Sequence, residues 1–401
     1  MLTIKVDYYN EKNKDLLSQL SCIKSLNELV ESGLKFKEEE FLTYTVFMEQ
    51  MNLKGWRTYS ELKKLLPPRA VIFKQYFDLD NGTIKSRFTG SKMNKVQTQS
   101  AGVGAALTLV SRLYGLTEAD WEIIPVKKYK DLDFEIAIKG SEIASTGEEI
   151  IQVEAKGTII EDYNISQSIV NAKKSIEEKK ETQRTQYDNK NTLIGVIAGF
   201  PHENNLDAIC RVLDPPPYEI NEDPYKYKLL ARLYFYWRQI SLISKSHVLL
   251  ALINRIQDIA TLSDFRELSA QPLLNHRGEV FERPVSLFFS RSIVGQDLGF
   301  GEVFPINKDE FFFYGFDSEI IDLLIKQDFK EINGFLNKGR RELESEVKVL
   351  GRIRKSDLIE AHIDVSDLKM TPDKTRYEMN LVGRCFETPA GRILGYLKRA
   401  K

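Results

Sequence analysis

Apolar positions change period several times along the chain. Leu16, Leu17, Leu20, Ile23, Leu26 and Val30 recur at helical spacing, and a second apolar stripe runs from Phe41 to Met51. Residues 11–51 therefore read as helices. The Lys-Glu-Glu-Glu run at 37–40 reads as an exposed helix start, where acids suit the positive end of the helix dipole. QTQSAGVGAALTLVSRLY (97–114) reads as a small-residue helix ending at Gly115, with Gly and Ala positions that allow close packing on a sheet. The period then drops to two. WEIIPV (121–126), DFEIAI (133–138) and EIIQVEA (149–155) read as consecutive antiparallel strands. A charged helix at 166–187 and an apolar strand, NTLIGVIAGF (191–200), follow. Helix, three strands, helix and strand predict a compact α/β unit with a mixed sheet.

Past Pro201 the pattern changes again. DPPPYEINEDP (214–224) reads as a Pro-rich acidic linker or loop, and two long helices follow at 224–259. PVSLFFSRSIVG (284–295) and EFFFYGF (310–316) carry strand signals, and a helix is expected at 317–336. RYEMNLVG and GRILGYLK suggest a closing hairpin. The expected organisation is a helical, partly basic N-terminal region at 1–95, a catalytic-type core at 96–202 and an α+β accessory domain at 203–401. No internal repeat or low-complexity tract stands out.

Composition narrows the class. The 401 residues are 42% hydrophobic and 29% charged, ordinary for soluble globular domains. The net charge of −1 rules out polyanion binding by the molecule as a whole, so any nucleic-acid surface must be local. Cys22, Cys210 and Cys385 lie far apart without a CxxC pair, which argues for a reduced cytoplasmic chain. The four histidines lack metal-ligand spacing, which speaks against zinc. The N-terminus shows no apolar signal-peptide core, and the most apolar stretch is broken by Arg232, Arg238, Lys245 and Arg255. No membrane span is expected.

Local charge is uneven. Residues 54–95 hold ten Lys and Arg against three acids, a net of +7, with Trp56, Tyr59, Phe73, Tyr76, Phe77 and Phe88 interleaved. That pattern fits a solvated surface over a small core, or a surface that tracks phosphates. KGRRELESEVKVLGRIRKSD (338–357), net +3, reads as a solvated face sooner than as a strip that contacts a nucleic-acid backbone. The glycines of FSRSIVGQDLGFGEVFP (289–305) lack a Gly-Lys-Ser/Thr phosphate-loop ending and read as turns.

The chemistry concentrates at Glu154-Ala155-Lys156. Glu-x-Lys occurs five times, at 61–63, 154–156, 177–179, 178–180 and 346–348, which is near chance. Four of these lie in charged, helix-like or loop segments and read as solvated surface. Only 154–156 ends an apolar, β-branched run. Side chains on a strand alternate, so Gln152, Glu154 and Lys156 share one face. If the strand at 133–138 is its antiparallel neighbour, Asp133 lies beside Glu154 and Lys156. Two nearby carboxylates repel, and a divalent cation resolves this. Oxygen ligands suit Mg²⁺, and an adjacent Lys could orient water or neutralise charge on a phosphoryl group.

This order of elements, with Asp133, Glu154 and Lys156 in place, resembles the PD-(D/E)XK, or restriction-endonuclease-like, nuclease superfamily over residues 97–200. The resemblance implies a restriction-endonuclease-like mixed-sheet core flanked by helices. It implies metal ligation by Asp133, Glu154 and the Ala155 carbonyl, with Asp133, Glu154 and Lys156 catalytic. The implied cofactor is Mg²⁺, with Mn²⁺ as a substitute. The implied activity is endonucleolytic hydrolysis of phosphodiester bonds, most readily of double-stranded DNA, in bacterial restriction or anti-phage defence. A homodimer or a partner defence protein would accompany it. Departures are visible: Leu132 precedes Asp133 where many members have Pro, and the first helix offers only Gln97 and Gln99 where many carry an acid. Asp131 competes with Asp133 as ligand. Gln183 and Tyr187 match a Gln-xxx-Tyr signature of the RecB-like branch. The alternative is a catalytically inactive nuclease fold that binds nucleic acid or serves assembly.

Overall fold

The first apolar run, LTIKVDY, alternates buried and more exposed positions and forms strand β1 (Leu2–Tyr8). The computed structural model describes residues 1–18, 20–47, 58–79, 82–123, 133–137, 150–187, 192–202, 206–213, 223–282, 292–295, 298–335 and 346–400. Helices α1 (Glu11–Leu17) and α2 (Ile23–Ser32) follow β1. A short strand β2 (Leu34–Phe36) then interrupts what the sequence suggested was helical throughout, because β1 offers it an antiparallel partner. Helix α3 (Glu38–Phe47) opens on Glu38, Glu39 and Glu40, the acidic start expected from the dipole. Helix α4 (Tyr59–Tyr76) leads into a small antiparallel hairpin of β3 (Phe77–Asp78) and β4 (Lys85–Ser86).

Helix α5 (Lys95–Tyr114) is capped by Asn94, whose side chain accepts from the Val96 amide. It stops at Gly115, which takes the left-handed conformation (φ 65°) that suits glycine. Strands β5 (Glu122–Ile123), β6 (Phe134–Ala137) and β7 (Ile150–Ile160) pair antiparallel in sequence order. Helix α6 (Gln167–Tyr187) crosses over to β8 (Thr192–Pro201), which runs parallel to β7. Strand β9 (Ile209–Leu213) completes the set.

The chain divides into two compact units: Met1–Gly55 with Pro68–Lys228, and Trp56–Pro67 with Leu229–Lys401. The division does not fall at residues 95 and 202. In the first unit seven strands form one mixed sheet in the order β2-β1-β9-β8-β7-β6-β5. The N-terminal segment thus supplies strands to the same sheet as residues 122–201, because β1 lies parallel to β9.

Helices cover both faces of that sheet. Ala101, Ala105 and Leu109 of α5 share a core with Ile151, Val153 and Ala155 of β7 and Val196 of β8. Ile169 and Ile176 of α6 pack on the other face with Ile197, Ile209 and Leu213. β7 is therefore covered on both sides, which is why its polar Gln152 and Glu154 are buried alongside Ile151 and Val153.

The second unit takes up helix α7 (Pro224–Ser241) from Leu229 onward and holds α8 (His247–Thr261), followed by a closed β-barrel. Its strands are β10 (Ser292–Val294), β11 (Gly299–Pro305), β12 (Glu310–Asp317), β13 (Val347–Arg354), β15 (Arg376–Glu387) and β16 (Arg392–Arg399). Two-residue β14 (Lys369–Met370) pairs with β15. The order β13-β10-β11-β12-β16-β15 returns to β13, so six antiparallel strands close into a ring. Val303, Phe311, Phe313, Val349, Leu381 and Leu397 fill the interior.

Three expectations are corrected here. The glycine-rich stretch read as turns supplies β10 and β11, where Gly301 lies so close to β12 that a Cβ would approach the Tyr314 carbonyl to 2.2 Å. Within the described part of the supposed solvated face, Val347–Arg354 is a barrel strand whose alternate residues Val347, Val349 and Ile353 point inward. The single helix expected at 317–336 is two, α9 (Ser318–Lys326) and α10 (Phe329–Gly334), separated where Gln327 takes a positive φ of 56°. A short α11 (Lys355–Glu360) follows β13. Among the described residues no helix is long and apolar enough to cross a membrane.

Candidate active site

β7 carries the site in its middle. The sequence suggested that the strand stops near Lys156, but it continues to Ile160 because β8 pairs with it along its whole length. The pairing Phe134↔Val153 brings Asp133, just before β6, opposite Glu154. The Asp133 amide donates to the Val153 carbonyl (3.1 Å), and the Ala155 amide donates to Asp133 Oδ2 (3.2 Å). Bonds between Asp133 and the main chain on both sides of Glu154 thus fix the two carboxylates side by side. Both are buried, with side chains 1% and 0% exposed.

Two ammonium groups meet these carboxylates. Lys156 Nζ lies 2.5 Å from Glu154 Oε1. Lys179, from α6, places its Nζ 2.7 Å from the Glu154 carboxylate and 3.4 Å from Asp133 Oδ1. Lys179 touches both acids at once. Burial and, after it, the Asp133 charge push the Glu154 carboxyl up, Lys156 and Lys179 pull it back, and the net result is about 7. For Lys179 burial acts to lower the pKa, but the attraction of Asp133 and Glu154 outweighs it and the net shift is upward.

Sequence reasoning missed Lys179. It belongs to Glu177-Glu178-Lys179, one of the Glu-x-Lys matches assigned to solvated surface. Its neighbour in the next match, Lys180, is buried and donates to the Leu213 carbonyl (3.3 Å). The signal was helical spacing. Ile169, Ile176 and Gln183 recur every seven residues and are all buried, which puts 179 and 180 at the inner edge of α6. Gln183 of the Gln-xxx-Tyr pair is on this buried face; the Tyr187 side chain lies outside the described residues, as does Asp131.

On the other face, Gln99 Nε2 donates to the Ala155 carbonyl (2.8 Å). The position where an acid was sought on the first helix therefore does reach the site, through an amide. Among the described residues, no group of three or more His, Cys, Asp or Glu is gathered as a metal cage. The oxygen donors at hand are the Asp133 and Glu154 carboxylates and the Ala155 carbonyl.

The basic, aromatic segment is partly accounted for by structure. Lys63 pairs with Asp357 and Glu360, Lys74 with Glu38, and Arg87 with Asp78. Lys54, Arg57 and Trp56 lie outside the described residues. Lys92 and Lys95 are exposed, and Phe88 is 38% exposed beside Tyr76. This loop runs along β7 just past Lys156: a Cβ on Gly90 would lie 3.7 Å from Ile159.

Compared with protein-family models, curated proteins and solved structures, the chain gives no match in any of the three.

Proposed function

We propose that the first unit is a Mg²⁺-dependent endonuclease of the restriction-endonuclease-like kind, acting in the cytoplasm on double-stranded DNA in bacterial restriction or anti-phage defence. The observation that carries this reading is the single ammonium of Lys179 held by two buried carboxylates from neighbouring strands. One cation already contacts both acids, so the pair fits a cation, and Mg²⁺ or Mn²⁺ would take Asp133, Glu154 and the Ala155 carbonyl with water completing its shell. When bound, such an ion supplies charge stabilisation for a phosphoryl group and a water of lowered pKa. Lys156, 23% exposed and fixed by Glu154, would face the attacked phosphate and balance its growing charge. Lys92, Lys95 and Phe88 would hold the backbone and bases of the nucleic acid beyond it. The second unit would supply recognition, oligomerisation or a contact to a partner protein.

The test is incubation of the full chain with plasmid, linear DNA and RNA in Mg²⁺, Mn²⁺ or EDTA, beside Lys156→Ala. Cleavage of DNA that needs the metal and is lost in the variant is expected. Salt-dependent binding without cleavage under every condition would overturn the reading. It would favour an inactive nuclease fold, for which one observation speaks: the two carboxylates are already paired with two lysine ammonium groups.

A further inference from the structure

Charge balance sets a condition on this site. With both acids ionised, Asp133 and Glu154 bring two negative charges, against the two positive ones of Lys156 and Lys179. A divalent cation added between the acids leaves an excess of two positive charges in a buried place, with the Lys179 ammonium on the position the ion needs. The two lysines are not equivalent. Lys156 contacts Glu154 from the same strand, two residues along. Lys179 comes from α6, bridges both acids, and is 19% exposed on a long side chain that can swing outward.

We propose that Lys179 is an exchangeable counter-cation, a positioning residue that holds Asp133 and Glu154 together without metal and is displaced when a divalent ion enters. This rests on the metal-site reading above. The site is thereby kept closed until the ion concentration is high enough to evict the lysine. Divalent-ion affinity then reflects a competition, and removing the competing charge strengthens binding.

Mn²⁺ binding to the full chain, read from the electron paramagnetic resonance of the free ion, tests this directly. Lys179→Gln should bind Mn²⁺ roughly tenfold more tightly than the parent, since one close like charge is gone. Lys179→Arg, which keeps the charge, should bind like the parent, and Lys179→Gln combined with Glu154→Gln should lose the site. Lysine acylation of the unaltered protein is a second measurement that needs no variant to fold. Lys179 should label several-fold faster when Mn²⁺ is added, and Lys180 should not. Equal or weaker Mn²⁺ binding by Lys179→Gln, or unchanged Lys179 labelling in the metal-loaded parent, overturns the exchange while leaving the metal site standing. Absence of Mn²⁺ binding in every variant overturns both.

Discussion

Gly102 of α5 and Gly157 of β7 meet backbone to backbone. A Cβ on Gly102 would lie 2.4 Å from the Gly157 nitrogen, and one on Gly157 only 2.0 Å from the Thr98 carbonyl oxygen. Both obstacles are main chain and cannot rotate away. Gly102→Ala and Gly157→Ala should each cost about 3 kcal/mol in urea unfolding, by overpacking. Gly334→Ala, where nothing lies within 4 Å of the added carbon, is the control and should be near neutral.

The same close approach delivers Gln99 to the Ala155 carbonyl. Gln99→Glu would turn a donor into an acceptor that faces the Ala155 carbonyl, another acceptor. Without divalent ions the variant should lose about 1–3 kcal/mol of stability, the cost of an unmet buried polar group. Millimolar Mn²⁺ should recover most of it. A thermal melt with and without the ion reads this, and equal stabilisation of parent and variant would count against a cation at this place.

In the barrel, Glu302 is fully buried and takes two 2.7 Å bonds from the Arg376 guanidinium, with Arg354 at 3.3 Å. Arg354 in turn stacks 3.5 Å from the Tyr59 ring centre. Glu302→Ala strands Arg376 as an uncompensated buried charge, so about 3–5 kcal/mol should be lost. Replacing both partners, Glu302→Leu with Arg376→Met, should cost clearly less than the sum of the single changes. Circular dichroism during urea unfolding would follow all three variants.

Burial pushes the Cys210 thiol up to about 12 from an ordinary value near 9. Between those values the folded chain keeps a proton that the unfolded chain releases, so stability falls as pH rises through this window. The contribution from Cys210 between pH 8 and pH 10 is about 1 kcal/mol. Cys210→Ala should show a shallower loss over that range, and the native thiol should resist iodoacetamide at pH 8 until urea is added.

How much of this could be read from the letters depended on whether a signal was local. α5 and its Gly115 stop, the antiparallel β6–β7 pair and the β7–α6–β8 order all follow from periodicity within a few turns of chain. So does the meeting of Asp133 with Glu154. Lys179 escapes because motif counting treats its Glu-x-Lys as surface, whereas Ile169, Ile176 and Gln183, spaced by seven and all buried, mark that edge of the helix as inner. Val347–Arg354 was judged by its charges, although Val-Lys-Val and Arg-Ile-Arg alternate as a strand does. Barrel closure was out of reach for a different reason. The pairing of Ile293 with Leu350 leaves no mark in either segment alone.

Lys5 stands beside Ile209 in the parallel pair β1–β9, with some two hundred residues of chain between them. Two turns of α4 inside that span belong to the other unit. The strand at residue 5 therefore has no permanent neighbour on one side until residue 209 has been synthesised. The entropy of closing so long a loop must be met before that pairing gives anything back. During translation the early helices and β2 can gather around β1, but the sheet cannot be completed in chain order. The first unit should pass through a state with one sheet edge unfinished, and that state is the one in which the nascent chain is most open to mispairing and to chaperones.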